Sequence, residues 1–499
     1  MSAFWPLLVP ALLGSLLWLW RPSAAVSRAV SLLGVVVLAA WIVQLFAATS
    51  GGHVLVHPLG GWQTPYGITL ALDGLSVLFL ALLITLLAVV LLALRPGAHG
   101  DETVRRAHPL LWWLTFGLSG AFTTGDLFNL FVMFELVLVA SYLLLQVPGS
   151  ARARAAALPT VVLNLVTSLL FLAGLGLLYG LCGSLNLADL TVRIGDADPL
   201  LRRAALGMLV VAFAAKAAVV PLCFWMPATY PTLSAPLAAL FAGIMGKLGV
   251  YALIRILPLL QSDPLLLDGL VVAGALSALL GVLAALSQYE VRRLLAFHSV
   301  SQVGYIVLGI GLATPAGVAA AIFFTIHHSL VKSTLYLVAD ELERRNASRD
   351  LRAMAFRRSG GASMAIIFGI AAFSLAGLPP FSGFFGKLAL FRAAYLEQTW
   401  LALVALLVAS VFTLASMLKI WQFAFATRPG DDQPISVASG FGGGTALLIA
   451  ALLILGFGFA AGPAHERSEQ AAFGVLEPTG YVESVLSADA RPASQAGGR

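Results

Sequence analysis

The sequence predicts an all-α membrane protein that crosses the bilayer with about 14 transmembrane helices. Of its 499 residues, 60% are hydrophobic and only 10% are charged, and the mean hydropathy is +0.95. A soluble protein cannot bury so much apolar surface, whereas runs of about 20 apolar residues are long enough to cross a bilayer. Two of the apolar segments carry internal prolines and a lysine, which further predicts two inverted five-helix repeats.

Fourteen apolar stretches predict the transmembrane helices in chain order. The first stretch has no basic residue before it and is followed by Arg21 and Arg28. Because a secretory signal has the opposite order of charge, this stretch is interpreted as a retained helix. The predicted spans lie near residues 3–20, 28–48, 70–94, 109–124, 127–146, 158–181, 204–226, 233–257, 265–287, 297–313, 316–340, 363–394, 400–425 and 441–461.

The distribution of arginine predicts the orientation of the chain. With the N-terminus outside, sixteen of the 24 arginines lie in cytoplasmic loops, which favour basic residues. Both termini are then expected outside. The cytoplasmic stretch 339–360 is expected to form a short amphipathic surface helix, and the polar tail, residues 462–499, is expected to be extended and poorly ordered.

Lysine is confined to the predicted membrane spans, whereas the loops use arginine. A charge at the centre of a membrane helix costs at least about 2.5 kcal/mol, so five such lysines indicate a function. A buried lysine can release and regain a proton, whereas the guanidinium of arginine stays charged. Lys419 lies near the inner end of its span and is expected to extend toward the interface. The five lysines are Lys216, Lys247, Lys332, Lys387 and Lys419.

An acidic residue lies near the middle of the fifth predicted span, in "TTGDLFNLFVMFELVLVASYLLL" (123–145). Asp126 and Asn129 lie near the outer end of this span and are interpreted as helix caps. Glu135 lies about nine residues into the span, at a depth where capping does not explain it. A Glu–Lys pair at that depth would couple protonation to electrostatics, because each group stabilises the charged form of the other.

Two adjacent histidines lie in "FFTIHHSLVKS" (323–333). His328 and Lys332 are four residues apart and share one helix face, whereas His327 points in a different direction. A proton relay is favoured over a haem or metal site, because no other histidine is predicted at mid-membrane. The two cysteines form no CxxC motif, so no cofactor is expected. Nucleic-acid binding is not expected either, since the basic residues do not cluster on a polar domain.

Two apolar segments combine a lysine with helix-breaking residues. In "LVVAFAAKAAVVPLCFW" (209–225) Pro221 follows Lys216, and in "SLAGLPPFSGFFGKLALF" (374–391) two prolines precede Lys387. Broken helices at corresponding places in two halves are typical of inverted-repeat transporters. The predicted division is three N-terminal helices (1–108), a first repeat (109–257), a second repeat (258–425), and a last helix with the tail (426–499).

The four stretches "TTGDLFNLFVMFELVLVASYLLL", "AAKAAVVPLCFWMPATYPTLSAPLAALFAGIMGKLGVY", "HHSLVKSTLY" and "GLPPFSGFFGKLAL" resemble the antiporter-like subunits shared by respiratory complex I, membrane-bound hydrogenases and Mrp-type cation/proton antiporters. The resemblance spans residues 70 to 425 and is greatest to the D subunit of the Mrp type. It implies fourteen helices, breaks in helices 7 and 12, and a central hydrophilic axis for protons. It assigns to that axis Glu135, Lys216, Lys247, His328 with Lys332, and Lys387; His327 is added as the neighbour of His328.

The resemblance implies a proton-translocating subunit of a multi-subunit monovalent cation (Na⁺)/proton antiporter in the bacterial inner (plasma) membrane. The implied partners are the other subunits, protons and possibly Na⁺, and the lipid bilayer. The alternative is a proton-pumping membrane subunit of a redox-driven complex I-like or hydrogenase complex. A transporter subunit is favoured over a stand-alone redox enzyme, because the sequence lacks cysteine motifs and paired mid-membrane histidines.

Overall fold

The structure, a computed structural model, describes residues 4–62, 64–147, 151–354, 362–426 and 444–487 of the chain. The N-terminal part contains three apolar helices and a short antiparallel hairpin in which Leu55 faces Leu72. The third helix begins after Asp73, whose carboxylate accepts a hydrogen bond from the Ser76 amide at 2.9 Å and so caps the helix. The elements are α1 (Trp5–Trp20), α2 (Ala24–Ala48), β1 (Leu55–Pro58), β2 (Thr69–Leu72), α3 (Gly74–Ala93) and α4 (Pro96–His99).

The next five predicted spans form a second group of helices. Asp126 caps one of them by accepting from the Asn129 amide at 2.7 Å, which confirms the capping prediction for Asp126. A five-residue π-helical turn, Phe241–Met245, lies inside the last span of this group. The helices are α5 (Asp101–Thr123), α6 (Leu127–Gln146), α7 (Ala151–Cys182), α8 (Leu187–Arg193), α9 (Pro199–Ala217), α10 (Trp225–Thr229), α11 (Ala235–Leu240), α12 (Gly246–Arg255) and α13 (Leu257–Leu260).

Five further spans form the third group, and a C-terminal group follows it. Because each five-span group is odd in number, the two groups run in opposite directions through the membrane. The helices of the third group are α14 (Pro264–Ser287), α15 (Val291–Gly311), α16 (Pro315–Asn346), α17 (Leu351–Met354), α18 (Ala362–Ala376), α19 (Ser382–Leu396) and α20 (Trp400–Ala424). The C-terminal helices are α21 (Gly444–Phe459), α22 (Ala461–Leu476) and α23 (Thr479–Leu486).

Each of the fourteen predicted spans coincides with a helix or a broken pair of helices. Within the described residues, nine helical segments are long and apolar enough to cross a membrane alone, counting Ala235–Arg255 as one. Burial separates the core from the periphery: in the most apolar window, 94% of α15 and α16 is buried, against 39% of α14 and α20. Helices α15 and α16 therefore lie in the core of the bundle, and α14 and α20 lie at its periphery.

Both predicted helix breaks are present. Helix α9 ends at Ala217, and a non-helical stretch that contains Pro221 separates it from α10. Helix α18 ends at Ala376, and Gly377, at φ +87°, begins the connection to α19. Proline cannot donate a backbone hydrogen bond, so a helix ends there unless other groups satisfy the freed carbonyls. At the first break the indole nitrogen of Trp225 donates to the Ala215 carbonyl at 3.0 Å.

The prediction for the tail, residues 462–499, is wrong for residues 462–476 and 479–486, which lie in α22 and α23. Helix α22 meets α21 at 75° and packs against α16 and α3. Val485 of α23 is fully buried against Ala71 and Ala188. The side chains of the tail are only weakly hydrophobic. They are ordered because other parts of the bundle, among them α3 and α16, provide a surface against which they are buried. Residues 488–499 lie outside the described part.

The tail also covers a buried ion pair. The guanidinium of Arg255 donates to both carboxylate oxygens of Asp73, at 2.6 and 2.8 Å, and lies 5.7 Å from the ring centre of Tyr481. Burial alone would raise the pKa of Asp73, but the charge and hydrogen bonds of Arg255 hold it below its ordinary value. Removing one partner of such a pair leaves an uncompensated buried charge, so the pair ties α3 to α12.

The prediction for residues 339–360 is also wrong in part. Helix α16 continues to Asn346, and only α17, four residues long, follows it in the described part of this stretch. The extension is held against α15 by Arg292, which pairs with Asp340 at 3.1 Å and with Glu343 at 2.8 Å. These ion pairs bury charged residues of a stretch whose sequence had indicated an exposed surface helix. Residues 355–361 lie outside the described part.

Candidate functional site

Four of the five lysines are buried inside the helix bundle. Lys216, Lys247, Lys332 and Lys387 are at most 6% exposed. Among the described residues, none of the four forms an ion pair with a carboxylate, so each is stabilised by neutral oxygens. A buried ammonium without a counter-ion is costly, and such a cost is normally retained only at a functional site.

Lys216 and Glu135 are joined through a serine. Ser168 of α7 donates to Glu135 Oε1 at 2.5 Å, and its hydroxyl oxygen lies 3.4 Å from Lys216 Nζ. The two charged groups come from α6 and α9, on either side of α7, and within the described residues they form no direct ion pair. The expected Glu–Lys pair is therefore bridged, so that a change of charge on either group acts on the other through one hydroxyl.

A small, mostly apolar cavity adjoins the ammonium of Lys216. Its volume is about 20 Å³, enough for one water molecule, and the polar residues in its wall besides Lys216 are Ser141, Thr160, Asn164 and Thr229. Asn164 accepts a hydrogen bond from Lys216 Nζ through its side-chain oxygen at 3.1 Å. Ser141 lies beyond Glu135 on α6 and Thr160 lies before Ser168 on α7, so the cavity extends toward the connection between α6 and α7.

An aromatic cluster packs beside the same site, and one of its members, Phe134, also lines the cavity. Phe134, Phe171 and Phe213 pack with ring centres 4.8 to 5.8 Å apart. Phe171 lies three residues after Ser168, and Phe213 lies three residues before Lys216. The three rings therefore make this flank of the Ser168 bridge apolar.

We expect Ser168→Ala to lower proton transport by roughly tenfold, because hydrogen bonds to charged groups contribute about 1.5–3 kcal/mol. Ser168→Thr retains the hydroxyl and serves as the matched control, with a rate within a few-fold of the unmodified protein. The measurement is the initial rate of proton movement in vesicles that contain the assembled complex. Equal rates for Ser168→Ala and Ser168→Thr would show that the bridge has no role.

Lys247 occupies the centre of the bundle, just after the π-helical turn. Its ammonium donates to the Ala242 carbonyl within that turn at 2.7 Å. π-Helical turns interrupt the regular ladder of α-helical hydrogen bonds and are frequent at functional sites. Lys247 lies on α12, and its charge acts on His328 of α16.

The two adjacent histidines have different surroundings. His327 Nδ1 lies 2.9 Å from Ser382 Oγ, at the start of the broken helix α19. His328 is fully buried, and neither of its ring nitrogens has a hydrogen-bond partner among the residues that the structure describes. Electrostatic interactions link His328 to Lys247, Lys332 and His298. Lys332 itself donates to the Leu295 carbonyl at 2.9 Å.

Lys387 lies at the second helix break. Its ammonium donates to the Ala376 carbonyl at 2.9 Å and to Ser410 Oγ at 3.0 Å, and it is 5.3 Å from the ring centre of Tyr305. Ala376 is the last residue of α18, so Lys387 occupies the position where the break frees a carbonyl. A Cβ atom at Gly377 would lie 2.7 Å from Lys387 Cδ, so glycine leaves room for the lysine as well as permitting the left-handed turn.

Sequence reasoning missed several members of this buried axis. The predicted span 297–313 would place His298 at a helix end, yet α15 begins at Val291, so His298 lies two turns inside the helix and contacts Ser416. Ser168, Asn164 and Ser410 were also missed. Polar residues inside an apolar span, such as Asn164 and, one turn later, Ser168, could have indicated these members from the sequence. A polar side chain at that depth must find a hydrogen-bond partner within the bundle.

Lys419 lies apart from the axis. It donates to the carbonyls of Leu286 and Gln288 at 2.7 and 2.8 Å, and its ammonium lies 3.6 Å from the ring centre of Tyr289. These carbonyls are at the end of α14, so Lys419 neutralises the C-terminus of a neighbouring helix. This position agrees with the expectation of an interfacial lysine.

Known proteins resemble this chain over nearly its whole length. The D subunit of the sodium/proton antiporter of Alkalihalophilus pseudofirmus is 37% identical over 492 residues, which cover 96% of this chain and 98% of that protein. The corresponding D subunit of Bacillus subtilis is 33% identical, with the same coverage. In the structure of the Mrp complex from a Dietzia species, one chain superposes with a TM-score of 0.89 at 30% identity, covering 97% of this chain and all of that one.

A chain of respiratory complex I from Thermus thermophilus shares the fold, with a TM-score of 0.82 at 24% identity and coverage of 95% of this chain and 99% of that one. Residues 124–413 match the family model described as NADH:quinone oxidoreductase/Mrp antiporter, transmembrane. That match includes both broken helices and every charged member of the axis described above. The chain therefore belongs to the NADH:quinone oxidoreductase/Mrp antiporter family of multi-pass membrane proteins.

Proposed function

We propose that the chain is the proton-translocating subunit of a multi-subunit Na⁺/proton antiporter of the bacterial inner membrane, with its N-terminus outside. Protons move between the first repeat and the second along one buried axis. The residues that we assign to it as proton carriers are Glu135, Lys216, Lys247, His327, His328, Lys332 and Lys387.

The observation that carries this proposal is the set of buried lysines held by neutral oxygens. A lysine paired with a carboxylate would be held charged, whereas one bound only to carbonyls and hydroxyls can pass its proton to a neighbour. Histidine between two lysines suits the same role, because the imidazole gains and loses a proton near neutral pH. His328, with neither nitrogen committed to a partner in the described part of the chain, is free to accept a proton on one and donate from the other.

The bridge at Ser168 supports a role for Glu135 in coupling. Protonation of Glu135 would remove a negative charge that acts on Lys216 through one hydroxyl, and this would favour transfer of the lysine proton along the axis. The cavity beside Lys216 would supply protons from the face that bears the α6–α7 connection. With the orientation inferred from the arginines, that face is cytoplasmic.

A second candidate function is a proton-pumping subunit of a redox-driven complex. It is favoured by the similarity to a chain of an archaeal membrane-bound sulfane sulfur reductase, with a TM-score of 0.89 at 25% identity. The axis would be the same in both cases, and only the source of energy would differ. Similarity to the subunits named as sodium/proton antiporters, over the whole chain, favours the antiporter.

The test uses membrane vesicles from a host that lacks its own antiporters and expresses the complete gene cluster of this chain. A pH gradient is imposed without an electron donor, and Na⁺ is then added. We expect Na⁺ to dissipate the gradient, and Lys387→Leu to reduce this response at least tenfold, since the axis would lose one of its carriers. Lys419→Leu, which removes a lysine outside the axis, is the matched control.

A response to Na⁺ that is unchanged in Lys387→Leu would contradict the role of the axis. A gradient that forms only with an electron donor, and that Na⁺ does not affect, would instead support the redox-driven alternative. The amount of assembled complex is measured for each variant, so that loss of transport can be separated from loss of the protein.

A further inference from the structure

A groove lies where the ends of three helices meet, and it shares no lining residue with the cavity beside Lys216. It has a volume of about 370 Å³ and is bounded by the C-terminal ends of α1 and α6 and the N-terminal part of α5. Its walls are largely apolar, with Leu17, Leu110 and Leu143 among them, whereas three arginines stand at its mouth. The groove thus combines an apolar interior with a strongly basic rim.

The rim has an excess of positive charge. Glu102 accepts hydrogen bonds from both Arg105 and Arg106, so one carboxylate is shared between two guanidinium groups. Arg21, the third arginine, pairs with no carboxylate of the described residues, and its side chain is exposed. The rim therefore carries a net charge of +2, from three arginines and one glutamate. An anion with several acceptor oxygens would complement it.

The position of the groove fits the headgroup region of the bilayer. Arg21 immediately follows the last residue of α1, and Trp18 and Trp20 in the final turn of that helix are 49% and 59% exposed. Tryptophan is enriched at membrane interfaces, where its ring lies at the level of the headgroups. Leu143 is also exposed to the surroundings, so the apolar part of the groove is open toward the lipid.

We propose that this groove binds one anionic phospholipid. The phosphate accepts hydrogen bonds from Arg21, Arg105 and Arg106, and an acyl chain lies along the leucines of the wall. A free inorganic anion would satisfy the arginines but would leave the apolar walls uncovered, whereas a lipid meets both requirements. By the predicted orientation the rim faces the cytoplasmic leaflet, where basic clusters attract anionic headgroups.

The test measures lipid retention by the purified, fully assembled complex. The complex is placed in bilayer nanodiscs that contain phosphatidylglycerol and phosphatidylcholine in equal amounts, and the lipids that remain bound after transfer to detergent are counted by native mass spectrometry. We expect one retained phosphatidylglycerol, with retention about fivefold weaker for each of Arg21→Gln and Arg106→Gln, since one basic residue near the surface contributes by about that factor.

The matched control is Arg293→Gln, which removes an exposed arginine of α15 that lies outside the groove. This variant should retain the lipid as the unmodified complex does. Added inorganic phosphate should not displace the lipid; displacement would indicate a simple anion site. Equal retention of the two lipids, equal loss in Arg293→Gln, or a crosslink from Leu143→Cys to another subunit across the groove would each overturn the proposal.

Discussion

Replacement of Glu135 by glutamine is expected to reduce proton transport by the assembled complex on the order of a hundredfold, the lower end of what a positioned proton-transferring group contributes. Glutamine has nearly the same shape, and its carbonyl oxygen can still accept the hydrogen bond from Ser168. It cannot bind or release a proton, so Glu135→Gln removes the charge that acts on Lys216 while it preserves the packing. The measurement is the rate of Na⁺-dependent proton flux in vesicles.

Two controls separate the chemistry of Glu135 from its contribution to folding. Glu135→Asp keeps a carboxylate, although a shorter one, and should retain more activity than Glu135→Gln. The amount of assembled complex should be the same for both variants, because the side chain is only partly buried and lies between helices α6 and α7. Proton flux at the unmodified rate in Glu135→Gln would exclude a coupling role for this residue.

Lys216→Arg should be almost as damaging as Lys216→Ala, with both rates reduced on the order of a hundredfold. Arginine keeps the positive charge, but its guanidinium does not release a proton at any accessible pH. Only a role in which Lys216 gives up its proton predicts that arginine and alanine are equivalent. The same vesicle assay provides the rates.

Lys419→Arg is the matched control for this comparison. Lys419 also lies in a membrane span, but it donates to two carbonyls at a helix end, a role that arginine can fill. We expect its activity to stay within about twofold of the unmodified complex, as is usual for substitutions at partly exposed sites. If Lys216→Arg instead retains most of the activity, Lys216 is a fixed counter-charge and is not a carrier.

The sequence by itself determined the membrane-spanning helices of this protein and the positions of their breaks. Apolar runs of membrane-spanning length have few other structures available, because every backbone polar group must be satisfied within the lipid. Proline interrupts a helix because it lacks a backbone N–H group, which is a local property. Pro221 therefore predicted the break after α9 without information about the neighbouring helices. The buried lysines were recognisable for the same reason, since their cost in a membrane depends mainly on depth.

The tertiary structure alone decided which polar groups meet. Ser168 follows Glu135 by 33 residues, and Ser416 follows His298 by 118, so no local pattern connects either pair. The tail was expected to be extended because its own residues are weakly hydrophobic, and it is helical because α3 and α16 provide a surface on which it can bury them. The hydrophobicity of a segment predicts whether it lies in the membrane. The partner of each side chain depends on which helix faces come together, and those contacts are decided by packing between segments that are distant in the sequence.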